Sequence, residues 1–383
     1  MPVGYIRLSM RVTLIEPQDN LPVCSASLHK QTFNCSKHSH PVVQQYVFNT
    51  IVYLLQVILT TMVDLVYGRG ITDIVREIPL YFGIFEKYVG IKLFHQKPAL
   101  YGSVDVINVC NLHCSHCYWW LNRKNEDQDL SADEWRQIIR RTFKKQKIFV
   151  VTLVGGEPTM RPEVIQVFCE EMPRRVCVVS NGTYPLKRFD NLYFYWISLD
   201  GTEKIHDQIR GKGSYSKTKQ NILDYIAGPD RNRKPAWKDI WITMTINSLN
   251  YSSIDDLVQE WKGLVNRIGF QFHTPFVKGD PLWLPYGQER NNIVDKLIAL
   301  REKYPDFVIN SKKQLSLMKG NWGGIGTTPV QCPSWAILSL DHMGREKKPC
   351  CIGSADSKSL KPICEDCGLG CYSVLVANGI SGA

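Results

Sequence analysis

The sequence predicts an α/β fold in which six βα units form a partial, TIM-like (β/α)6 barrel. The first observation is that short runs rich in β-branched and apolar residues alternate with segments of helical periodicity. The second is that these runs end in polar or glycine-rich turns. Such alternation indicates a parallel sheet with right-handed crossovers. The predicted regions are 1–45, irregular; 46–98, apolar and amphipathic helices; 99–330, the barrel; and 331–383, a small cysteine-rich domain.

The region before the barrel divides into three parts. Residues 1–41 have no clear periodicity and lack the pattern of a secretory signal, so we predict an irregular segment. Tyr46–Val63 is uncharged and mostly apolar, near the lower length limit for a membrane span of about 17–25 residues. Three interpretations of this segment stay open: a packed helix, a helix at the membrane interface and a membrane-spanning helix. The amphipathic stretch Ile71–Phe94 could dock on lipid headgroups or pack on the barrel. Two cysteines of the first part match no metal-binding spacing and are predicted to be free thiols: Cys24 and Cys35.

The barrel strands are predicted from six apolar runs: Tyr101–Val109, Ile148–Val154, Val176–Val179, Leu192–Leu199, Asp239–Ile246 and Gly269–His273. Helix signals lie between them. Ser131-Ala-Asp-Glu134 has the sequence of a capping box, and Pro162 stands at a favoured early helix position. Further helices are predicted at 215–226 and 254–265.

Three cysteines follow the first predicted strand at the spacing C-x3-C-x2-C: Cys110, Cys114 and Cys117. They therefore belong to a loop at a strand's carboxyl end, where barrel enzymes place their chemistry. Thiolates are soft ligands that suit zinc or iron–sulfur centres. Three ligands are one fewer than a closed structural site needs, so a cluster held by them would leave one iron open. From these cysteines alone, zinc and an iron–sulfur cluster both stay open.

The next three strands also end in polar groups. The second ends in Gly155-Gly156-Glu157-Pro158, where paired glycines allow close approach to a ligand and Glu157 offers an acceptor for an amine. The third ends in Ser180-Asn181-Gly182-Thr183, and the fourth in Asp200-Gly201. Because parallel strands place their carboxyl ends at one face of a barrel, we expect these groups to converge there.

The order C-x3-C-x2-C, GGEP, SNG and SLDG, followed by the stretch HDQIRG, resembles the radical S-adenosylmethionine (radical SAM) superfamily over roughly residues 99–276. The resemblance implies a [4Fe-4S] cluster on the three loop cysteines, which it makes the catalytic residues. It also implies that the open iron chelates S-adenosylmethionine, which is cleaved to a 5′-deoxyadenosyl radical that abstracts hydrogen from a substrate. The cofactor-binding residues expected are Tyr118, Gly155, Gly156, Glu157, Pro158, Ser180, Asn181, Ser198, Asp200 and Arg210.

Individual roles follow from the same resemblance. Ser198 and Asp200 are expected to face the ribose hydroxyls. Arg210 is expected to pair with the carboxylate of S-adenosylmethionine, with a salt bridge on a helix surface as the alternative. Tyr118 would shield the cluster or contact adenine, and simple packing stays open. The two histidines of the loop, His113 and His116, are predicted to lie at its surface and not to bind the cluster.

Six further cysteines lie near the carboxyl end: Cys332, Cys350, Cys351, Cys364, Cys367 and Cys371. They resemble the SPASM/Twitch extension, which holds auxiliary [4Fe-4S] clusters. The pattern is abbreviated, so one auxiliary cluster is expected rather than two, with a structural zinc as the alternative. The preferred ligands are Cys332, Cys350, Cys367 and Cys371, and the alternates are Cys351 and Cys364.

Composition narrows the class of function. The net charge is +10, but the basic residues are scattered and the densest run closes a predicted helix, so no nucleic-acid partner is expected. Cysteines that serve as cluster ligands indicate a reducing compartment, so we predict a cytoplasmic enzyme. If residues 46–94 hold the barrel mouth against lipid, the enzyme is peripheral on the cytoplasmic face of the membrane. A reductant such as flavodoxin or ferredoxin is implied. The apolar amino-terminal region favours a membrane lipid or isoprenoid as substrate. The alternatives are a peptide- or protein-modifying SPASM maturase and a non-catalytic iron–sulfur or zinc protein.

Overall fold

The computed structural model describes residues 71–122, 128–229, 235–320 and 332–380. The irregular segment and the apolar segment Tyr46–Val63 lie outside the described residues, as do Cys24 and Cys35. All helices, strands and contacts of the fold named in this article belong to the described residues.

The centre of the fold is a seven-stranded sheet in which every neighbouring pair is parallel. Its spatial order is β6-β5-β4-β3-β2-β1-β7. The strands are β1 Tyr101–Asp105, β2 Val150–Val154, β3 Val176–Ser180, β4 Leu192–Ser198, β5 Ile240–Ile246, β6 Arg267–Phe272 and β7 Ile337–Leu340. The predicted α/β partial barrel is confirmed, since the first six strands are the six predicted runs in order.

Two strand features differ from the prediction. β1 ends at Asp105 rather than Val109, because the chain turns away there to carry the cysteine loop. β7 is an addition to the predicted strands, and it pairs with β1 from Tyr101 opposite Ile337 onward. Residues 337–340 belong to the predicted cysteine-rich region, so part of that region extends the barrel sheet.

The α-helices are α1 Ile71–Phe94, α2 Tyr118–Asn122, α3 Ala132–Ile138, α4 Pro162–Glu171, α5 Glu203–Arg210, α6 Ser214–Ala227, α7 Ile254–Trp261, α8 Gln288–Lys303, α9 Lys312–Leu317 and α10 Gly370–Ala377. The capping box is formed, with Ser131 and Glu134 each bonded to the other's backbone N–H. A π-helical turn, Ile139–Lys144, continues α3. Its basic side chains Arg140 and Lys144 both bond Glu171 at the end of α4.

The core lies between the sheet and the helices around it. Its largest fully buried side chains include Trp135, Phe143 and Phe168, which pack against one another. A second apolar cluster surrounds the carboxyl-terminal cysteines and includes Phe276 and Tyr372. This second cluster makes the cysteine-rich region a packed part of the molecule rather than a tail.

Helix α1 packs on the barrel through its lysines. Nζ of Lys87 donates to the backbone carbonyls of Ala99 at 2.6 Å, Lys147 at 3.2 Å, and Gln146. These carbonyls lie at the amino ends of β1 and β2, opposite the carboxyl ends that bear the cysteine loop. A membrane contact through α1 would therefore turn the barrel mouth away from lipid, which is contrary to the predicted orientation. Among the described residues, no helix combines the length and apolar character that crossing a membrane needs.

Candidate active site at the carboxyl ends of the strands

The cysteine loop joins β1 to α2 and is held by its own backbone. The N–H of Cys117 donates to the carbonyl of Cys114 at 3.1 Å, and the N–H of Ser115 donates to the carbonyl of Ile209 at 2.9 Å. Burial raises the pKa of Cys110 to about 11 and that of Cys117 to about 12. The thiols therefore stay protonated at neutral pH unless a cation replaces the protons, as a coordinating metal does.

The paired glycines allow close approach, but to the cysteine loop itself. A Cβ on Gly156 would lie 1.9 Å from the carbonyl oxygen of Val109, and Gly155 has φ +113°. The N–H of Gly156 donates to Ile107 at 3.0 Å, and the N–H of Glu157 donates to Val109 at 2.9 Å. These bonds fix the loop to the end of β2, so the glycines position the thiols.

Glu157 is buried and bound by the chain's own donors. Its Oε1 accepts from the hydroxyl of Ser180 at 2.8 Å and from the N–H of Thr159 at 3.0 Å. Its Oε2 accepts from the N–H of Asn181 at 2.8 Å. Burial raises its pKa, although these hydrogen bonds act in the opposite direction. The carboxyl group thus joins the ends of β2 and β3, and its contact with an amine stays a prediction.

The end of β3 touches the cysteine loop directly. Nδ2 of Asn181 lies 3.8 Å from Sγ of Cys110 and donates to Oδ1 of Asn111 at 3.0 Å. The neighbouring site residues also lie at this face: Pro158 opens a short 3-10 turn and Ser198 is the buried last residue of β4. Four successive strand ends therefore meet around the three thiols, as the sequence predicts.

A buried ion pair lies beside the loop. Nε of Arg210 donates to Oδ2 of Asp200 at 2.6 Å, and Nη1 of Arg210 is 4.0 Å from Sγ of Cys114. The side chains of Arg210 and Asp200 are 10% and 0% exposed. A surface salt bridge is thus the wrong interpretation of Arg210, since the residue is buried. Its contact with a cofactor carboxylate, and that of Asp200 with ribose, stay predictions.

His116 also departs from the prediction. His113 is exposed and stacks on Trp120, as a loop-surface histidine can, but the side chain of His116 is only 10% exposed. Nε2 of His116 lies 3.6 Å from Oδ2 of Asp200, and its buried Nδ1 has no hydrogen-bond partner. Burial lowers its pKa to about 4, so the ring is neutral at physiological pH. Its ring therefore faces the ion pair of Arg210 and Asp200.

A histidine–aspartate pair that the sequence analysis does not identify faces His116. His273 directly follows β6, and its Nε2 is 2.8 Å from Oδ2 of Asp280. Its ring meets that of His116 edge to face at a centroid distance of 6.4 Å. The sequence could have indicated this residue, because polar residues also follow the other strands. The predicted strand runs to His273, however, so the histidine is assigned to the strand instead of to the turn after it.

The carboxyl-terminal cysteines gather on the other side of Tyr118. Sγ of Cys351 is 3.8 Å from Sγ of Cys371, and the N–H of Cys351 donates to the hydroxyl of Tyr372 at 3.1 Å. Cys332 interacts electrostatically with Cys367, Cys364 and Cys351, which together with burial raises its pKa. A hydrogen bond with Cys351, together with burial, raises the pKa of Cys350. The structure thus brings all six cysteines together, and it does not favour the preferred ligands over the alternates.

Tyr118 lies between the two groups of thiols. Its ring stacks on Phe276 at a centroid distance of 5.8 Å, and the residue packs against the cluster that contains the carboxyl-terminal cysteines. Burial first, then Asp105, Cys351 and Cys117, raise the pKa of its hydroxyl well above the ordinary value. It therefore lies close to thiols of both groups.

The donor set fits iron–sulfur chemistry. Both groups consist of thiols, the soft ligands that such clusters use. Within the described ranges, no three histidine, cysteine or carboxylate side chains already surround a single metal position. The assignment of ligands accordingly rests on the spacing of the cysteines and their convergence, and it stays a proposal.

Comparison with known proteins identifies the barrel. Residues 104–227 match the sequence model described as the Radical SAM superfamily. These residues form a radical SAM domain. Radical SAM enzymes use a [4Fe-4S] cluster and S-adenosylmethionine, and auxiliary clusters are typical of SPASM relatives.

Two relatives and one solved structure give the range of similarity. The sporulation killing factor maturation protein SkfB of Bacillus subtilis is 26% identical over 41% of this chain and 38% of its own length. Fe-coproporphyrin III synthase of Methanosarcina barkeri is 28% identical over 54% of this chain and 50% of its own. Streptococcus suis SuiB bound to precursor peptide SuiA is 14% identical, has a TM-score of 0.54, and covers 79% of this chain and 71% of that one. The radical SAM chain thus spans half or less of these curated relatives, and the SuiB likeness shows the fold.

Proposed function

We propose that this chain is a radical SAM enzyme that modifies a peptide or protein. The observation that carries the proposal is the pair of thiol groups that flank Tyr118 at the carboxyl face of a parallel half-barrel. Cys110, Cys114 and Cys117 would hold the [4Fe-4S] cluster that binds S-adenosylmethionine. The carboxyl-terminal cysteines would hold one auxiliary [4Fe-4S] cluster. When bound, the first cluster supplies the electron that cleaves S-adenosylmethionine, and a flavodoxin or ferredoxin in a cytoplasmic setting would renew it.

The residues around the loop would place and shield this chemistry. Asn181 approaches Sγ of Cys110, and Arg210 brings positive charge to Cys114, balanced by Asp200. His116 closes the loop from the inside as a neutral ring. His273 and Asp280 add a hydrogen-bonded pair at the same face. Each of these groups is largely buried, which supports exclusion of water from a radical reaction.

The substrate class is inferred from the cleft beside Tyr118. This cleft is open to solvent, and the space in it that water-sized molecules can occupy is about 50 Å³. Its lining residues are mostly polar and include two ion pairs, Asp105 with Lys347 and Asp341 with Arg345. A lipid tail needs an apolar lining, whereas a peptide brings charged and hydrogen-bonding groups that such a lining can match.

Two further points support a peptide over the membrane lipid or isoprenoid that the apolar amino-terminal region favours. Helix α1 packs at the amino ends of the strands, so it does not present the mouth to a membrane. SkfB is named a maturation protein, and SuiB is described with a precursor peptide. The similarity to Fe-coproporphyrin III synthase makes a porphyrin the substrate to test as a second class.

The test measures which substrate fraction couples S-adenosylmethionine cleavage to a product. Full-length, anaerobically reconstituted protein receives a reductant, S-adenosylmethionine, and either a peptide fraction or a lipid extract of the source cells. We expect 5′-deoxyadenosine to form faster with the peptide fraction, together with a changed mass in one peptide. Digesting that fraction with a non-specific protease first is the matched control and should abolish the stimulation. Stimulation by the lipid extract or by coproporphyrin alone would contradict the proposal.

A further inference from the structure

Arg290 is a buried cation without a carboxylate beside it. It lies in the first turn of α8 and is 1% exposed. Its Nε donates to the carbonyl of Met318 at 2.9 Å, and its Nη1 donates to that of Leu284 at 3.0 Å. Its buried Nη2 has no hydrogen-bond partner. Within the described ranges no carboxylate lies in ion-pair contact with it, so its charge is not balanced by a salt bridge.

The groups around Arg290 offset only part of the free-energy cost of burying its charge. The guanidinium lies between two aromatic rings, 4.1 Å from the centroid of Phe272 and 4.5 Å from that of Tyr286. Aromatic faces and carbonyl dipoles attract a cation but do not carry a full negative charge. Burial lowers the pKa of Arg290 to about 10, which still leaves it charged at neutral pH. A buried charge of this kind is costly unless an anion accompanies it.

The cysteine-rich region supplies two groups near Arg290 that can carry negative charge. The residues with which it interacts electrostatically include Cys367 and Asp366, and Tyr286 beside it donates to the carbonyl of Cys367 at 3.4 Å. Cys367 is 7% exposed and approaches the hydroxyl of Thr274 at 3.9 Å. The protonated thiols carry no charge, whereas thiolates that hold an iron–sulfur cluster do. The cluster would therefore bring further negative charge to Arg290, which Asp366 does not contact as an ion pair.

A second buried cation, which contacts the cysteine-rich region, is already balanced. Nζ of Lys347 lies 2.7 Å from Oδ1 of Asp105, and the two side chains are 1% and 2% exposed. Lys347 also donates to the carbonyl of Cys351. Because Asp105 neutralises Lys347, that lysine offers no net charge to the group that the cysteines bind, whereas Arg290 does.

We infer that Arg290 is the built-in countercharge of the iron–sulfur cluster held by Cys367 and its neighbours, and that it raises the reduction potential of that cluster. The inference rests on the proposed auxiliary cluster. Reduction adds one negative charge to a cluster that its thiolates already make anionic, so a nearby buried cation stabilises the reduced form. Net charge and burial are among the features that set cluster potentials.

The experiment uses full-length protein in which Cys110, Cys114 and Cys117 are replaced by alanine, reconstituted anaerobically with iron and sulfide. Only the carboxyl-terminal cluster then contributes to a redox titration followed by electron paramagnetic resonance. Arg290→Gln removes the charge and keeps an amide donor for the two carbonyls. Arg290→Lys keeps the charge. Arg301→Gln is the matched control, because Arg301 lies on the same helix and also donates to two backbone carbonyls, those of Pro305 and Val308.

We expect Arg290→Gln to make the potential more negative by at least about 59 mV, the one-electron equivalent of a tenfold change in the reduction equilibrium. Arg290→Lys and Arg301→Gln should shift it by less than half of that. Loss of the iron from Arg290→Gln but not from Arg290→Lys would also support the inference, since charge would then be required for binding.

Three results would overturn the inference or its basis in distinguishable ways. An unchanged potential in iron-loaded Arg290→Gln would refute the countercharge. Loss of iron from both Arg290 variants would indicate a packing role instead and would refute it too. Absence of iron from the parent protein with intact carboxyl-terminal cysteines would refute the auxiliary cluster itself, and it would appear before any Arg290 variant is made.

Discussion

Replacing Arg210 by methionine should destabilise the apoprotein by about 3–5 kcal/mol, because the carboxylate of Asp200 is then buried without a cation. The two charged atoms are 2.6 Å apart, and the side chains are 10% and 0% exposed. At that distance an effective dielectric constant of about 20 gives an attraction of about 6 kcal/mol, part of which offsets the desolvation of both groups. Arg210→Met removes the attraction and leaves the desolvation of one charge.

The destabilisation should depend on pH. Burial alone would raise the pKa of Asp200, but Arg210 and then His116 bring it below its ordinary value. A depressed carboxyl pKa gives stability that is present above the unfolded-state pKa of about 3.9 and is lost as the pH falls through the folded-state value. In Arg210→Met burial dominates, so the folded-state pKa should rise. The stability difference between the parent and the variant should therefore be largest near neutral pH and shrink toward pH 4.

The assay is urea unfolding of the apoprotein in a double-mutant cycle. The variants are Arg210→Met, Asp200→Asn and the double substitution, with Arg301→Met as a control for loss of an arginine that binds carbonyls. We expect a coupling free energy of about 1–3 kcal/mol between positions 200 and 210. A coupling below about 0.5 kcal/mol, or a stability difference that does not change with pH, would refute the reasoning.

Three further predictions test the rest of the site. Replacing the loop cysteines by alanine should abolish S-adenosylmethionine cleavage and lower the iron content from about eight to about four per chain, measured by iron analysis. Gly156→Ala should lower the free energy of unfolding by about 1–3 kcal/mol and weaken iron binding by the loop, because its Cβ would lie 1.9 Å from the carbonyl oxygen of Val109. Gly370→Ala is the control and should have neither effect, because its Cβ would meet no atom closer than 3.5 Å. Glu171→Gln should cost about 1 kcal/mol at pH 7, after allowance for the exposure of its partners. Hydrogen bonds from Arg140, Lys144 and Arg136 lower the pKa of Glu171 to about 2, although burial acts in the opposite direction. This contribution is therefore present above about pH 4.5 and should fade as the pH falls toward 2.

The six predicted strands are readable from the sequence because each is a local pattern. An apolar run followed by a polar turn requires only neighbouring residues, and all six runs form strands. β7 gives no such signal, since Ile337–Leu340 has four residues and its partner Tyr101–Val104 lies far away in the chain. Its formation depends on an edge of the sheet that exists only once β1 is in place.

The residues proposed as ligands are predictable from the sequence, but the residues that support them are not. The loop cysteines and the strand-end polar groups are evident from their spacing, and the structure brings them together. The burial of His116 cannot be read from spacing, because it depends on the ion pair of Asp200 with Arg210 beneath it. Likewise, an arginine on α8 carries no sign in the sequence that Phe272 and Tyr286 enclose it.

Arg210 and Arg290 differ in the net charge that they present to a neighbouring thiol. Arg210 lies 4.0 Å from Sγ of Cys114, but its Nε is bonded to a fully buried carboxylate at 2.6 Å. An anionic group arriving at Cys114 therefore meets a pair with no net charge. Arg290 has carbonyls and aromatic rings around it and no carboxylate in contact within the described ranges. An anionic group arriving at Cys367 meets a full positive charge, so that site should respond more strongly to the loss of its arginine.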